Sequence, residues 1–571
     1  MSQVRMVWNV RIPMRDGISL SATLYLPEET YLPSPALFLL TPYVAQISHE
    51  TGIYFSERGF PFLTIDVRGR GNSEGVFKAN GNEVQDSHDI IEWLAQQPYC
   101  NGKVAMSGGS YSGYVQWCAA KEFPPHLATI VPVASPYRGV DSPAPRNIFP
   151  TYRVQWLNLL AGRTSQDKVF ADQAFWNQQY RRWFESGTAF RDIDRFLGVP
   201  APILQEWLAH PARDDYWDAH NPTAGQYSRI DLPVLTITGA YDTNQLGALA
   251  HYREHLRHAS DLAKSRHYLV IGPWDHGGTR FPKAEFSGLK LGPASLLDLQ
   301  ELQLQWYSWA LRDGARPEFL QKRVAYYVIG AEEWRYADTL EEVTARTLPL
   351  YLDSNGQAND VFRSGWLGCD GLGSGAPDSY VHDPRSTALA ELESHIDPAS
   401  CVDQRVMLAS AGRHLVYHTG PFTQDTEITG FFRLSVWVSI DQPDTDFRAD
   451  LFDIGMDGSA VLLTTDFMRA RYRESPRESR LVNTTAPLLY DLDQFRFVSR
   501  VLGKGHRVRL VFGPLHSIHW QKNYNAGGVV ADETSDDART VTVRLFHDEE
   551  HPSVLYVPLG KPYEGARSRQ E

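Results

Sequence analysis

Along the first quarter of the chain, short apolar runs alternate with stretches whose apolar positions recur every three to four residues. Ser19 to Leu26 alternates as a half-buried strand does, while Ala36 to Leu40, Phe62 to Ile65 and Val104-Ala-Met106 are continuous apolar runs. Between the last two runs, Asp86 to Gln97 places Ile90, Ile91, Trp93 and Leu94 on one helical face, and Pro98 ends it. Unbroken apolar strands separated by amphipathic helices predict a parallel sheet covered on both faces.

The rhythm changes near Tyr137. Up to about Asn221 the segments are helix-length, Thr164 to Ser186 being the longest, and 14 of the 80 residues from 141 to 220 are Phe, Trp or Tyr, against 12% in the whole chain. Such a segment predicts a helical insertion with an apolar surface of its own, suited to covering a pocket. Strand, helix, strand returns with Leu232 to Gly239, His267 to Ile271 and a helix from about Ser295 to Arg312. Beyond Arg346, short alternating runs such as Phe431 to Val438, Arg507 to Phe512 and Thr540 to Leu545 are broken by Gly, Pro and Asp, the pattern of an antiparallel sandwich of jelly-roll type. The expected architecture is therefore α/β, with an α/β core in residues 1–137 and 222–345, a helical cap in 138–221 and a C-terminal β-sandwich in 346–571.

Composition narrows the function. With 55 Lys and Arg against 68 Asp and Glu, the net charge is −13, and no basic block interrupts it, so the footprint of a nucleic-acid binder is missing. Four cysteines without a CxxC pair suggest neither a metal knot nor a disulfide framework. Residues 1–8 lack the apolar run of a secretory signal, and no stretch reaches the ~18 apolar residues needed to cross a bilayer. These features predict a cytoplasmic protein with no membrane partner and no cofactor. A homo-oligomer is compatible with them.

The segment richest in chemistry is Val104-Ala-Met-Ser-Gly-Gly-Ser110-Tyr-Ser-Gly113. An apolar strand runs into small residues around one serine and directly into a helix, the context of a nucleophile elbow. Ser110 would stand at the carboxyl edge of the sheet, with the backbone N–H of Tyr111 aimed at a developing oxyanion. A serine hydroxyl needs a base, and the base needs an orienting carboxylate. Asp242 follows the strand Val234 to Thr238, and His276 follows the strand Tyr268 to Ile271, giving the order Ser, acid, His along the chain. Asp275 is the rival acid. His88 lies within a predicted helix, and His251, His255 and His258 are expected on the outer face of another. His516 and His519 could suggest metal ligands, but alternation in a strand would point them to opposite faces, so no metal site is expected. Asp66 to Gly75 is glycine-rich but lacks the Gly-Lys-Ser/Thr ending of a phosphate loop, and reads as a structural turn.

These residues resemble those of the cocaine esterase-like hydrolases, relatives of Xaa-Pro dipeptidyl peptidases and α-amino acid ester hydrolases. The resemblance runs through Pro13-Met-Arg-Asp-Gly17, Thr41-Pro-Tyr43, Asp66-Val-Arg-Gly69, Gly108-Gly-Ser-Tyr-Ser-Gly113, Tyr241-Asp242 and Gly272-Pro-Trp-Asp-His276, and continues in Asp444-Thr-Asp-Phe447 and Arg469-Ala-Arg-Tyr-Arg473. It implies an α/β-hydrolase core, an inserted helical cap and a C-terminal jelly roll. It also implies a Ser110, Asp242 and His276 triad, and a Tyr43 phenol that joins the Tyr111 N–H in the oxyanion hole. Ser112, where most elbows have glycine, matches the family's own form.

The expected activity is hydrolysis of carboxylic esters, or of activated amides, in a small-molecule ester substrate. Trp156 and Trp176 are the candidate substrate contacts from the cap, in a pocket expected to be mainly apolar. The alternatives are a Xaa-Pro dipeptidyl peptidase or an α-amino acid ester hydrolase or acyl transferase. A further alternative is a carbohydrate- or protein-binding protein with a vestigial hydrolase core. The family's amino-ester hydrolases hold a substrate ammonium with acids just after the triad aspartate, and here Thr243-Asn-Gln-Leu246 supplies none.

Overall fold

The computed structural model describes residues 4–27, 33–79, 81–369 and 375–561. A ten-stranded sheet carries the first half. Its first eight strands are β1 (Val4–Pro13), β2 (Ser19–Pro27), β3 (Ser34–Thr41), β4 (Phe62–Asp66), β5 (Cys100–Met106), β6 (Leu127–Ile130), β7 (Val234–Tyr241) and β8 (His267–Asp275). They lie in the order β1-β2-β4-β3-β5-β6-β7-β8, followed by Val324–Val328 and Glu333–Ala337. From β4 through Val324–Val328 the neighbours pair in parallel; antiparallel pairing is confined to the two edges.

The pleat explains the continuous apolar strands. In β3, Ala36, Phe38 and Leu40 pack with Ile90, Ile91 and Leu94 of the helix Glu83–Ala95, while Leu37 and Leu39 pack on the other face with Leu302 and Trp306 of the helix Leu299–Arg312. Both faces are thus buried, as a two-residue period in a sandwiched strand requires. The strand order also reverses at β3: the chain leaves it for β4 on one side and reaches β5 on the other. Loops after β3 and β5 therefore diverge and open a crevice at their carboxyl ends.

The cap is inserted between β6 and β7. The expected helix Thr164 to Ser186 is two, Asp167–Ala171 and Gln173–Ser186, because the Asp172 carboxylate caps the second by accepting the Phe175 N–H at 2.9 Å. Histidines 251 and 255 depart from their expected place. They lie on the inner face of the helix Gln245–His258, fully buried, where the ring of His251 stacks on Trp117 at 4.8 Å and meets the Tyr227 hydroxyl at 2.7 Å. His255 reaches the carbonyl of Ile230 at 2.9 Å and the His267 ring at 2.9 Å. Polar satisfaction by neighbouring carbonyls and hydroxyls lets these rings take core positions.

Residues 346–559 build a separate thirteen-stranded sheet around a core that includes Leu434, Val436, Phe447, Leu451, Leu510 and Phe512. Its pairing is antiparallel except where Gly365–Gly368 runs parallel to Leu415–Thr419. Two buried ion pairs lie within it, and one of them reaches the rest of the chain. Arg469 donates to Asp446 at 2.8 and 2.9 Å and also to the carbonyl of Asn147 at 3.2 Å; Arg471 donates to Asp444 at 2.8 Å. Among the described residues no helix is long and apolar enough to cross a membrane.

Candidate active site

Ser110 sits between β5 and the helix Tyr111–Ala120 with φ 59° and ψ −121°, a left-handed conformation costly for a side-chain-bearing residue. The surrounding glycines are what make this turn feasible. A Cβ on Gly108, at φ 126°, would lie 2.6 Å from the Cβ of Ser112, and one on Gly113 would lie 2.6 Å from the Val133 carbonyl oxygen. The turn aims Ser110 into a cavity of about 470 Å³ and leaves the Tyr111 amide as the first N–H of the helix, a donor with no intrahelical acceptor.

Asp242 begins the turn after β7 and is fully buried. One carboxylate oxygen accepts from Nδ1 of His276 at 2.7 Å and from the Asn244 amide at 2.9 Å; the other accepts from the Thr238 hydroxyl at 2.9 Å. Burial alone would raise its pKa, but the facing imidazole and these hydrogen bonds outweigh it and hold the carboxyl below its ordinary value. Asp275, the rival acid, instead accepts the Gly278 amide at 2.6 Å and fastens the turn that carries His276. His276 lines the same cavity as Ser110. Among the described residues Ser110 Oγ makes no hydrogen bond to that ring.

Tyr43 follows β3, on the other side of the crevice. The Arg70 Nε–H donates to the Pro42 carbonyl at 2.7 Å, the Ser165 hydroxyl to the Tyr43 carbonyl at 2.8 Å, and the Ala45 amide to Asp66 at 2.6 Å. The glycine-rich segment after β4 thus clamps the Tyr43 turn. The indole N–H of Trp156 donates to the Tyr43 phenolic oxygen at 3.1 Å. Trp156 in turn lies between Tyr111 and Trp207, with ring centroids at 6.2 and 6.1 Å.

Ser110, Tyr43, Tyr111, Trp156 and His276 therefore line one cavity, with Asp242 behind His276. Trp176 does not reach it. Its indole is buried in the cap, bonded to the Val169 carbonyl at 2.7 Å and packed behind Tyr180, which is the residue that lines the cavity. The helix periodicity that marks Trp176 as apolar cannot say whether its face meets a pocket or the cap's own core.

The β domain also lines the cavity, with Phe467, Arg496 and Trp520, which carry no sequence signal, and with His519 among others. His516 and His519 are not in a strand but in the turn after Arg507–Pro514; His516 donates to the Ser386 carbonyl at 2.7 Å while His519 faces the cavity. The lining is mainly apolar, as expected, and Arg138, Arg146, Arg153 and Arg496 also contribute to it.

Known proteins resemble this chain in sequence and fold. Residues 16–278 match the family model described as X-Pro dipeptidyl-peptidase (S15 family), and residues 318–555 match the X-Pro dipeptidyl-peptidase C-terminal non-catalytic domain. Cocaine esterase from Rhodococcus sp. (strain MB1 Bresler) is 27% identical over 97% of this chain and 98% of its own. Two solved structures superpose along nearly the full length: an aminopeptidase from the marine sediment archaeon Thaumarchaeota archaeon, with TM-score 0.82, 22% identity and coverage of 98% and 97%, and an α-amino acid ester hydrolase, with TM-score 0.83, 20% identity and the same coverage. With both its α/β core and its C-terminal β domain matched, the chain belongs to the hydrolase family of the S15 X-Pro dipeptidyl-peptidases, is similar to cocaine esterase along nearly its whole length, and shares its fold with the α-amino acid ester hydrolase.

Proposed function

We propose that the protein is a serine esterase that works through an acyl-enzyme. The observation that carries this reading is the His276 to Asp242 bond: a buried carboxylate, kept ionised, fixes the proton on Nδ1 and leaves Nε2 as the base toward the cavity that Ser110 lines. Nε2 removes the Ser110 proton as Oγ attacks the ester carbonyl. The tetrahedral oxygen takes hydrogen bonds from the Tyr111 amide and the Tyr43 hydroxyl. Because the Trp156 N–H already donates to the Tyr43 oxygen, the phenol's own proton is left to donate outward. The imidazolium then protonates the departing alcohol, and water repeats the sequence to release the acid. The Oγ to Nε2 contact, open in this arrangement, closes as the substrate docks, as catalytic bonds commonly do.

Thr243, Asn244 and Leu246, which line the cavity beside the triad, carry no charge, so an α-ammonium group finds no partner there. The preferred substrates are esters without an α-amino group. The experiment is kcat/KM for a phenylacetyl ester, its phenylglycyl counterpart and a Xaa-Pro anilide. The ester lacking the ammonium is expected to win by about tenfold or more. A faster aminoacyl ester or anilide would replace this reading with the amino-ester hydrolase or dipeptidyl-peptidase one.

A further inference from the structure

The charged groups of the cavity do not balance. Four arginines, Arg138, Arg146, Arg153 and Arg496, face two aspartates, Asp141 and Asp466. Asp466 is taken by Arg146, which holds both of its oxygens at 3.0 and 2.7 Å, and Asp141 accepts the amides of Tyr137 and Gly247 at 2.9 and 2.8 Å. Arg138 donates to the Ser142 hydroxyl at 2.7 Å and lies over the Tyr114 ring. Arg153 uses two of its nitrogens on the carbonyls of Pro143 and Asp141, at 2.6 and 3.2 Å, and has no carboxylate partner.

Arg496 stands apart from these. Among the described residues its guanidinium makes no hydrogen bond, and no carboxylate lies within 4.0 Å of it. It occupies the stretch between the strands Leu488–Leu492 and Val498–Leu502, where Phe495 and Phe497 turn into the core and Gln494 and Arg496 turn to the cavity. It also lines a second cavity of about 660 Å³ that shares Pro398, Phe467, His519 and Trp520 with the first, so it stands at the neck between the two. Burial pushes the Arg496 pKa down, and that of Arg153 down to about 10. The buried Asp242 carboxylate attracts the Arg496 guanidinium but does not reach hydrogen-bond distance, so the guanidinium donors stay unmet, which is costly, and an anion supplied by a ligand removes that cost.

We propose that the cavity selects esters bearing a carboxylate remote from the scissile bond, held by Arg496 at the neck between the two chambers with Arg153 adding to the positive field. The inference rests on the esterase reading and sharpens its substrate class. The acid can sit in the acyl or the alcohol part, and each source has its own pair, in which a carboxylate takes the place of a methyl group. Monomethyl adipate against methyl hexanoate tests the acyl side, and 4-acetoxybenzoate against 4-methylphenyl acetate tests the alcohol side.

In at least one pair the anionic member should have the higher kcat/KM by roughly 10- to 100-fold, carried mainly by KM, with the gap narrowing as salt rises. Arg496→Met should collapse that ratio to about 2 or less, and Arg496→Lys should restore part of it. Should Arg496→Met fail to fold, adipate against hexanoate as inhibitors of the unaltered protein reads the same preference. Hydrolysis with no preference in either pair, or a ratio unchanged in Arg496→Met because both members fall together, would overturn the inference and leave the esterase reading intact. No hydrolysis of any of the four esters would overturn the esterase reading itself.

Discussion

In the parallel sheet, Tyr43, Ser110, Asp242 and His276 each lie within a few residues of a strand's carboxyl end, after β3, β5, β7 and β8. The C-terminal β domain meets the same cavity differently, with Phe467 from within a strand, Arg496 from a connection and His519 and Trp520 from a turn. The first set is ordered by the sheet itself. The second depends on how two domains are held together, and its members have no fixed relation to any strand end. The comparison teaches that, on the proposed reading, the reaction chemistry belongs to the core, while the cap and the β domain add the charge and much of the shape of the pocket.

The largest effect that separates the two regions is expected at Ser110. Ser110→Ala should lose on the order of 10³-fold or more in kcat with the folded state retained, measured by steady-state kinetics and circular dichroism. At the junction the loss should fall on stability instead. Arg469→Met leaves Asp446 and Asp444 buried around a missing charge, so urea unfolding should show a drop of roughly 3–5 kcal/mol. Equal stability would mean that the ion pairs merely decorate the interface.

Tyr43→Phe sharpens the proposed assignment of chemistry to the core, since it keeps the ring and removes only the hydroxyl, which donates to the oxyanion and accepts the Trp156 N–H. It should lower kcat by roughly 10²- to 10³-fold with little change in KM. A change confined to KM would make Tyr43 a lining residue. Acid stability probes the core's interior. His251 is buried with its pKa lowered to about 3, principally by burial, and an unfolded histidine titrates near 6.5. The unfolded chain therefore binds the extra proton first, and stability should fall as pH drops from about 6.5 toward 3. A urea midpoint constant over that window in the parent protein, or the same slope in His251→Phe, would contradict this. The smallest effect is expected at Trp156→Phe, which keeps the stacked ring and loses one hydrogen bond to Tyr43: a loss in kcat of less than about tenfold.

Much of the core was legible in the residues because its signals are local. Gly108 and Gly113 announce a turn that nothing larger fits, and apolar runs before Asp242 and His276 announce strand ends. Trp176 and the histidines at 251 and 255 were misplaced for one reason: helical periodicity reports that a face is apolar or polar, and cannot report what it packs against. Trp176 faces the cap's own core, and the two rings find carbonyl and hydroxyl partners inside the protein. Arg496 was invisible because its meaning is an absence of partners, which only the assembled cavity displays.

The central claim is that Ser110 is the nucleophile activated by His276. Labelling the folded protein with a fluorophosphonate probe and mapping the adduct by peptide mass spectrometry tests it most directly. The account predicts a single adduct on Ser110, absent in Ser110→Ala and formed far more slowly in His276→Ala. An adduct on another residue, or folded protein that stays unlabelled, would contradict it.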